Sequence, residues 1–176
     1  RLPGVSCTYV VHADHVGSRK NRGYLTPGRG FVMKNSDGLD GLNFLTTAQA
    51  NAFATSFPEF DSTKNHVVPN VLAATDPQTA AELAQIERDP SLGITMSRIA
   101  AGKRIEHAIS AVEGTSARLE IFGGGDDDYA NKVLALADGS PSAQVSGVTD
   151  DPIGEFARAS CVLVTSTSES FCLTII

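Results

Sequence analysis

The stretch "LGITMSRIAAGKRIEHAISAVEGTSARLEIFGGG", residues 92 to 125, decides the fold of this chain. It predicts a strand in "LGITMSR", a helix in "GKRIEHAISAVEG" and a second strand in "ARLEIFGGG". Both strands are apolar along their length and the connections are short, which is typical of parallel strands that helices cover on both faces. The stretch therefore predicts one β-α-β unit of an α/β sheet.

The same alternation continues to the end of the chain. Helices are predicted in "DDDYANKVLALADG" and "DDPIGEFARAS", and strands in "AQVSGV" and "CVLVTS". We expect all three Asp residues of "DDD" in the first turn of their helix, where the helix dipole favours carboxylates and where they act as caps rather than metal ligands. The pattern predicts an α/β domain with a doubly wound parallel sheet that begins near residue 90.

The first part of the chain carries shorter strand and helix signals. Strands are predicted in "CTYVVHADH", "LNFLTT" and "HVVPNVL", the last interrupted by Pro69 and therefore placed at a sheet edge or in a linker. "TAQANAFATSF" predicts a helix with Thr46 or Thr47 as its N-cap. "AATDPQTAAELAQIERDPS" predicts another helix, bracketed by Pro77 and Pro90.

Composition describes a globular chain of 176 residues with 41% hydrophobic residues and a net charge of −6, which argues against a dedicated nucleic-acid binder. Three widely spaced cysteines without a CxxC motif are expected to be buried thiols. No apolar run reaches the roughly 20 residues of a membrane helix, so we expect a cytoplasmic protein. One basic cluster is either a solvated loop or a contact surface for an anionic acceptor or a membrane face; it comprises Arg19, Lys20, Arg22 and Arg29.

Polar and flexible residues follow three strands of the predicted sheet. Arg98 ends the first strand, and Lys103 is placed at the start of the next helix. Gly123, Gly124 and Gly125 follow the second strand, and Ser166, Ser168 and Glu169 follow the fourth. In a parallel sheet ligands bind at the carboxyl ends of the strands, and fixed cations beside a helix N-terminus favour phosphate. The sequence predicts an anion site here, with Glu169 available to bind hydroxyls.

The order of these motifs resembles the donor-binding half of retaining, two-domain glycosyltransferases of family four, which have the GT-B fold. The resemblance covers residues 92 to 176 and rests on "MSRIAAGKRIEHAISAV", "LEIFGGGDDD" and "VSGVTDDPIGEFARASCVLVTSTSESFCLTII". It implies that Arg98 and Lys103 grip the donor diphosphate and that Glu169 is the first carboxylate of an E-x7-E motif. It places further donor contacts at Gly123, Gly124, Gly125, Ser168, Ser170, Phe171, Cys172 and Leu173.

Upstream, "YVVHADH" resembles the last part of the acceptor-side domain, where the family places a histidine that faces the donor sugar. His12 is the better match and His15 the second. The resemblance implies that residues 1 to 68 are the end of that domain with a linker strand, and that residues 69 to 176 are the donor domain. "VVHADH" and "TTAQ" are most similar to the teichoic-acid group of poly(glycerol-phosphate) or poly(ribitol-phosphate) α-glycosyltransferases.

Two departures from the family pattern affect the expected site. The second Glu of E-x7-E would fall one position past Ile176, and Cys172 stands where the family has Gly. We therefore expect a Rossmann-like half of a GT-B fold that is incomplete at both ends, lacks its last helices and is inactive alone.

The resemblance implies an enzyme that transfers a hexose from a nucleotide diphosphate sugar, a UDP-sugar, to a hydroxyl acceptor with retention of configuration. It implies no cofactor and no metal, no nucleic-acid partner, and an anionic cell-wall polymer or glycolipid as acceptor, met at the inner face of the membrane. A nucleotide-sugar-binding fragment without turnover is the alternative. A Rossmann dinucleotide-binding module is a third, although "EIFGGG" places no carboxylate for a ribose at the end of its strand.

Overall fold

A computed structural model describes residues 6–12, 34–72, 74–125, 127–169, 172 and 174 of the chain. Contacts between residues divide the chain into two compact units, unit 1 with Arg1–Leu72 and Glu169–Cys172, and unit 2 with Ala73–Ser168 and Leu173–Ile176. The domain boundary predicted after residue 68 stays a prediction, because a contact division does not show that either unit folds alone. Several predicted positions lie outside the described residues, namely His15, Arg19, Lys20, Arg22, Arg29, Ser170, Phe171 and Leu173.

Unit 1 contains a three-stranded parallel sheet in the order β1-β2-β3. The strands are β1 (Thr8–Val11), β2 (Gly41–Phe44) and β3 (Asn65–Val67), and helix α1 (Thr47–Ser56) follows β2. Short 3-10 turns lie at Ser36–Gly38 and Ser62–Lys64. The core joins the sheet to α1 through buried side chains of Val11, Leu42, Phe44, Ala50, Phe53 and Phe57.

The ends of α1 and β3 have local causes. Thr46 is the N-cap of α1, because its hydroxyl accepts a hydrogen bond from the amide of Gln49 at 3.1 Å, as predicted. The third strand was predicted to run to Leu72 but ends at Val67. The Val68 amide still donates to Phe44 at 2.8 Å, and Pro69, which has no N–H, follows at once at the sheet edge.

Unit 2 contains a four-stranded parallel sheet in the order β6-β5-β4-β7. Its strands are β4 (Asp89–Met96), β5 (Arg118–Phe122), β6 (Ala143–Gly147) and β7 (Ala159–Val162). Its helices are α2 (Pro77–Leu83), α3 (Ile105–Val112), α4 (Asp128–Asp138) and α5 (Pro152–Arg158). The chain moves outward from β4 to β6 and then crosses back to β7, which confirms the predicted doubly wound parallel sheet.

Helices cover both faces of this sheet. Ile121 packs in a cluster with α3 and α4, whereas its neighbour Phe122 packs with β4 and with Phe156 of α5. Successive side chains of a strand point to opposite faces, so the two clusters lie on opposite sides of the sheet. Leu92 and Ile94 of β4 belong to the second cluster.

Four predicted details need correction. The first strand of the unit begins at Asp89, because Pro90 lies where the β4–β7 register shifts and a strand tolerates proline at a bulge. The Asp run does not fill the first helical turn, because Asp127 is the N-cap of α4 and accepts from the Ala130 amide at 2.9 Å, which leaves Asp128 in that turn. Cys7 and Cys161 are exposed rather than buried, since Cys7 precedes the edge strand β1 and Cys161 lies on the edge strand β7.

The fourth correction concerns the segment from Gly102 onward, which was predicted as one helix. It forms a 3-10 turn at Ala101–Lys103, and α3 begins two residues later at Ile105. Between them Arg104 has φ 51° and ψ 43°, the left-handed conformation that interrupts a right-handed helix. Lys103 therefore lies in the turn before α3 and not at the start of the helix.

Candidate anion site at the carboxyl edge of the second sheet

The candidate site lies at the carboxyl ends of β4, β5 and β7. β4 lies between β5 and β7, and the strand order changes direction there, because β5 and β6 lie on one side of β4 and β7 lies on the other. Such a topological switch point is where open parallel sheets bind ligands. Arg98 leaves the sheet two residues after β4 ends, so the loop that carries it is at the switch point.

The glycine turn after β5 packs directly on the loop that carries Arg98. A Cβ at Gly123, where φ is +141°, would lie 1.8 Å from the Ser97 carbonyl oxygen, and one at Gly125 would lie 2.4 Å from the Ile99 carbonyl oxygen. At Gly124 a Cβ would meet only Val148, at 3.8 Å. Gly123 and Gly125 are therefore required for backbone packing, while Gly124 is exposed and open to a ligand.

Backbone hydrogen bonds fix this packing. The Ile99 amide donates to the Gly124 carbonyl at 2.9 Å, and the Ser97 amide donates to Phe122 at 3.0 Å. Gly123 in turn donates to Gly147 at 2.7 Å, which connects the glycine turn to the end of β6. The loop that carries Arg98 is thus held from the β5 side at two points.

Hydroxyl groups after β7 hold the other side of the same loop. Thr165 donates from Oγ1 to the Lys103 carbonyl at 2.8 Å, and Thr167 donates from its amide to the Gly102 carbonyl at 3.0 Å. The Thr167 hydroxyl reaches the same carbonyl at 3.2 Å. Ser166, Ser168 and Glu169 were predicted after this strand, but these two threonines were missed. The run of consecutive hydroxyl residues beyond the strand end was the sequence signal that could have shown them.

The two predicted cations share this rigid loop. The Arg98 side chain is exposed and makes no hydrogen bond or ion pair with any residue that the structure describes. Lys103 is half-buried, and its backbone is fixed by the Thr165 hydroxyl and by its own amide, which donates to Ala100 at 2.8 Å. An exposed guanidinium and an ammonium on one short loop can bind an anion such as a phosphate group, because both carry positive charge and donate hydrogen bonds.

A second set of residues, not predicted from the sequence, holds the start of α3. Arg104 offers no side-chain cap to this helix. Instead the Ile105 amide donates to the hydroxyl of Tyr129 on α4 at 2.7 Å, and that hydroxyl donates to the Glu106 carboxylate. Arg104 pairs with Glu106 through Nε at 2.9 Å and also contacts the His107 ring. The hydroxyl of a tyrosine distant in sequence therefore accepts from a helix-start amide, as an N-cap side chain would.

These contacts shift two ionisation equilibria. Burial raises the pKa of Tyr129, and the hydrogen bond to Glu106 raises it further. Burial opposes ionisation of Glu106, but hydrogen bonds from Tyr129, its own backbone and Arg104 outweigh it and lower the pKa of that carboxyl. At neutral pH the pair is a neutral phenol that donates to a carboxylate, which defines the direction of the Tyr129 hydroxyl proton.

The carboxylate of β5 belongs to a separate ionic network. Glu120 accepts from both Arg158 Nη1 and Nη2, at 3.2 and 2.5 Å, and from Arg118 at 3.4 Å. Arg118 also pairs with Asp89 at 2.5 Å, and Arg158 with Glu155. These partners come from β4, β5 and α5. The network connects the sheet to α5. The Glu120 carboxylate is therefore already bound by two arginines.

Three predicted site residues, His12, Glu169 and Cys172, belong to unit 1. His12 directly follows β1 and is exposed. The preceding carbonyl, of Val11, accepts from the Gln49 side chain at 2.9 Å, while Gln49 Oε1 accepts from the Leu45 amide at 3.0 Å, so α1 fixes the end of β1. Glu169 is exposed and Cys172 is half-buried. The ligand roles expected for His12, Glu169 and Cys172 stay predictions.

No family model matches the chain. A curated relative, the poly(glycerol-phosphate) alpha-glucosyltransferase of Bacillus subtilis (strain 168), is 27% identical over 169 residues, which are 92% of this chain and 24% of the relative. The chain thus spans about a quarter of the length of the curated relative that it matches.

Solved structures show the same architecture. TarM matches with a TM-score of 0.73 and 19% identity, over 96% of this chain and 33% of that protein. HepE of Anabaena, in complex with UDP-glucose, matches with a TM-score of 0.71 and 15% identity, over 94% of this chain and 48% of that one. The chain has the fold of part of a GT-B glycosyltransferase. The resemblance and the fold class inferred from the sequence are both confirmed.

A third GT-B structure, the pneumococcal O-GlcNAc transferase GtfA in complex with UDP and GlcNAc, matches with a TM-score of 0.67 and 22% identity, over 97% of this chain and 35% of that chain. Among the described residues, no group of three or more His, Cys, Asp or Glu side chains could hold a metal ion. Within the same part of the chain, no helix combines the length and apolar character needed to cross a bilayer.

Proposed function

We propose that unit 2 is the nucleotide-sugar-binding domain of a retaining glycosyltransferase, which transfers a hexose from a UDP-sugar to a hydroxyl acceptor. The observation that supports this most is the loop of Arg98 and Lys103, held at the switch point between the glycine turn and Thr165. Two GT-B neighbours were crystallised with UDP or a UDP-sugar, and the curated relative is a glucosyltransferase. The acceptor we propose is an anionic cell-wall polymer of the teichoic-acid type.

The proposed chemistry is electrostatic. As the glycosidic bond to the diphosphate breaks, negative charge grows on the leaving oxygen, and Arg98 and Lys103 stabilise that charge. Fixed donors aimed at developing charge typically supply the largest catalytic contribution, and losing one costs roughly 2.7 to 4 kcal/mol in other enzymes. No step of this scheme uses a metal ion. Glu169 orients the sugar hydroxyls and His12 contacts the sugar, as the family resemblance implies.

Replacing Arg98 tests the diphosphate assignment. In the full-length protein that carries this chain, Arg98→Ala should lower sugar transfer by at least about tenfold, because one fixed cation for the leaving group is lost. The control is Arg88→Ala, which removes an exposed arginine at the opposite end of β4 and should leave transfer unchanged. Unchanged turnover in Arg98→Ala, with an unchanged melting temperature, would contradict the assignment of Arg98 to the donor diphosphate.

A nucleotide-sugar-binding module without turnover is the second candidate, because the chain spans only 24% of its curated relative. Calorimetric titration of the 176-residue chain with UDP and UDP-glucose separates both candidates from a chain that binds no nucleotide. A glycosyl-release assay on the same sample then separates the two. We expect weak nucleotide binding and no release from this chain alone.

A further inference from the structure

We propose that Tyr129 is a positioning residue for the anion site, whose hydroxyl fixes the left-handed turn that presents Lys103. This inference rests on the proposed function of unit 2. The hydroxyl accepts from the Ile105 amide at 2.7 Å and donates to Glu106. Tyr129 itself lies on α4, so the turn is held by a different helix.

The turn lies between two fixed points. On its N-terminal side, the Lys103 carbonyl is bound by the Thr165 hydroxyl at 2.8 Å. On its C-terminal side, the Ile105 amide is bound by Tyr129 at 2.7 Å. Arg104 connects the two points and is the one non-glycine residue with a positive φ among the described residues. Its conformation is therefore imposed by contacts on both sides and not by its own preference.

The chemistry of the Tyr129 hydroxyl suits this role. A hydroxyl has one proton to donate, and here Glu106 takes it, so a lone pair remains for the Ile105 N–H. Arg104 pairs with the same carboxylate at 2.9 Å, which keeps a charged acceptor in place. Ile105 is 1% exposed, so without the hydroxyl its amide would lose a partner that water cannot readily replace.

Loss of this contact affects Lys103 more than Arg98. If Arg104 relaxes to ordinary helical angles, α3 extends backward, the hydrogen bond from Thr165 to the Lys103 carbonyl is lost, and Lys103 turns with the helix, because each added helical residue rotates the chain by roughly 100°. Arg98 does not follow, because the adjacent Ile99 amide is bound to the Gly124 carbonyl at 2.9 Å. Tyr129 therefore sets the spacing between the two cations, and with it the affinity for a diphosphate rather than for a nucleoside.

Tyr129→Phe tests the inference, with Thr115→Val as the matched control. Thr115 caps the opposite end of the same helix, where its hydroxyl donates to the Val112 carbonyl at 2.8 Å. We expect Tyr129→Phe to weaken UDP binding by about tenfold and to leave uridine binding unchanged, as loss of a buried amide's partner at the turn predicts. Thr115→Val should leave the ratio of the two affinities unchanged. Equal ratios in both variants would overturn the inference.

A second measurement separates this inference from the proposed function. Hydrogen exchange of the Ile105 amide should accelerate in Tyr129→Phe and not in Thr115→Val, whether or not the chain binds UDP. If the wild-type chain binds neither UDP nor uridine, the proposed function fails, while unchanged exchange in Tyr129→Phe overturns the inference. If Tyr129→Phe does not fold, Glu106→Ala replaces it, because the Tyr129 hydroxyl then loses the acceptor that orients it toward Ile105, and an unchanged ratio of UDP to uridine affinity there overturns the inference.

Discussion

Gly123 shows how a single missing side chain shapes the candidate site. Its backbone has φ +141°, a region that side chains other than hydrogen rarely occupy, and the Ser97 carbonyl oxygen occupies the place of a Cβ. The residue therefore allows the glycine turn to contact the loop that carries Arg98. The run of three glycines has a packing function at two positions and is open to a ligand at one.

Gly123→Ala should lower the free energy of unfolding by roughly 3 kcal/mol, because the new methyl group overlaps backbone and the φ angle is strained. Urea denaturation measures the change. Gly139→Ala is the control, because a Cβ there would make ordinary contacts at 3.5 and 3.7 Å and the backbone is right-handed. Equal stabilities of the two variants would contradict the packing role of Gly123.

At the scale of elements, the ionic network joins three of them around Glu120. Its carboxylate is 16% exposed and accepts from Arg158 of α5 and from Arg118 of its own strand. The hydrogen bond from Arg158 lowers the pKa of Glu120, and burial opposes that shift without cancelling it. Arg158 also pairs with Glu155 of its own helix, and its hydrogen bonds to Glu120 join α5 to the sheet, so the network stabilises the packing of α5 on β5.

The lowered pKa of Glu120 predicts a pH dependence. An unfolded glutamate titrates near pH 4.3, so the stabilisation is complete above about that pH and is lost as pH falls through the lower pKa of the folded state. Glu120→Gln should be less stable by roughly 2 kcal/mol at pH 7, the worth of hydrogen bonds to a charged group. Its stability should also fall less steeply below pH 4.3 than that of the wild type.

Chemical denaturation between pH 2.5 and pH 7 measures this difference. Glu113→Gln, which alters an exposed glutamate after α3, serves as the control and should follow the wild-type curve. Parallel curves for wild type and Glu120→Gln would show that the network does not couple to folding.

The sequence allowed prediction of the strands of unit 2 and of the residues that follow their carboxyl ends, but not of the conformation of the turns between them. Apolar runs identified the strands, so Arg98 and Gly123 could be placed at the carboxyl edge before the structure was known. The left-handed conformation of Arg104 could not be predicted, because it depends on Tyr129, which is 25 residues away and reaches Ile105 only in the folded unit. Pro90 led to a wrong prediction of the start of β4 for a similar reason, since the bulge that accommodates it is created by pairing with β7.

At the scale of the whole molecule, ligand binding should act on one edge of unit 2. The loops after β4, β5 and β7 are joined there by hydrogen bonds, so a nucleotide that contacts one loop stabilises all three. The amino-terminal end of the same sheet carries the ion pair of Asp89 and Arg118, which does not contribute to this site. The Asp89–Arg118 ion pair and the candidate anion site thus lie at opposite ends of β4 and β5.

UDP at about 100 times its dissociation constant should stabilise the folded chain by about 2.7 kcal/mol. Amide exchange should slow more at residues 97–104 and 123–125 than at the amino ends of β5 and β6, because contact with the ligand adds local protection to the global stabilisation. Mass spectrometry of deuterated peptides measures both regions in one experiment. Protection that is uniform over the unit, or confined to the amino ends, would contradict the placement of the site.

The order of the strands also determines a sequence of events during synthesis. β4 is central in the finished sheet, yet its partner on one side, β7, is made long after it; the Ser160 hydroxyl contacts the Pro90 carbonyl 70 residues earlier in the chain. At a ribosomal rate of about 5 to 20 residues per second, the β7 side of β4 stays unpaired for roughly 4 to 14 seconds. Leu92 and Ile94 then form part of an open, apolar strand edge, which other chains can pair with. Slower translation would therefore lengthen the period in which the nascent chain is prone to aggregate.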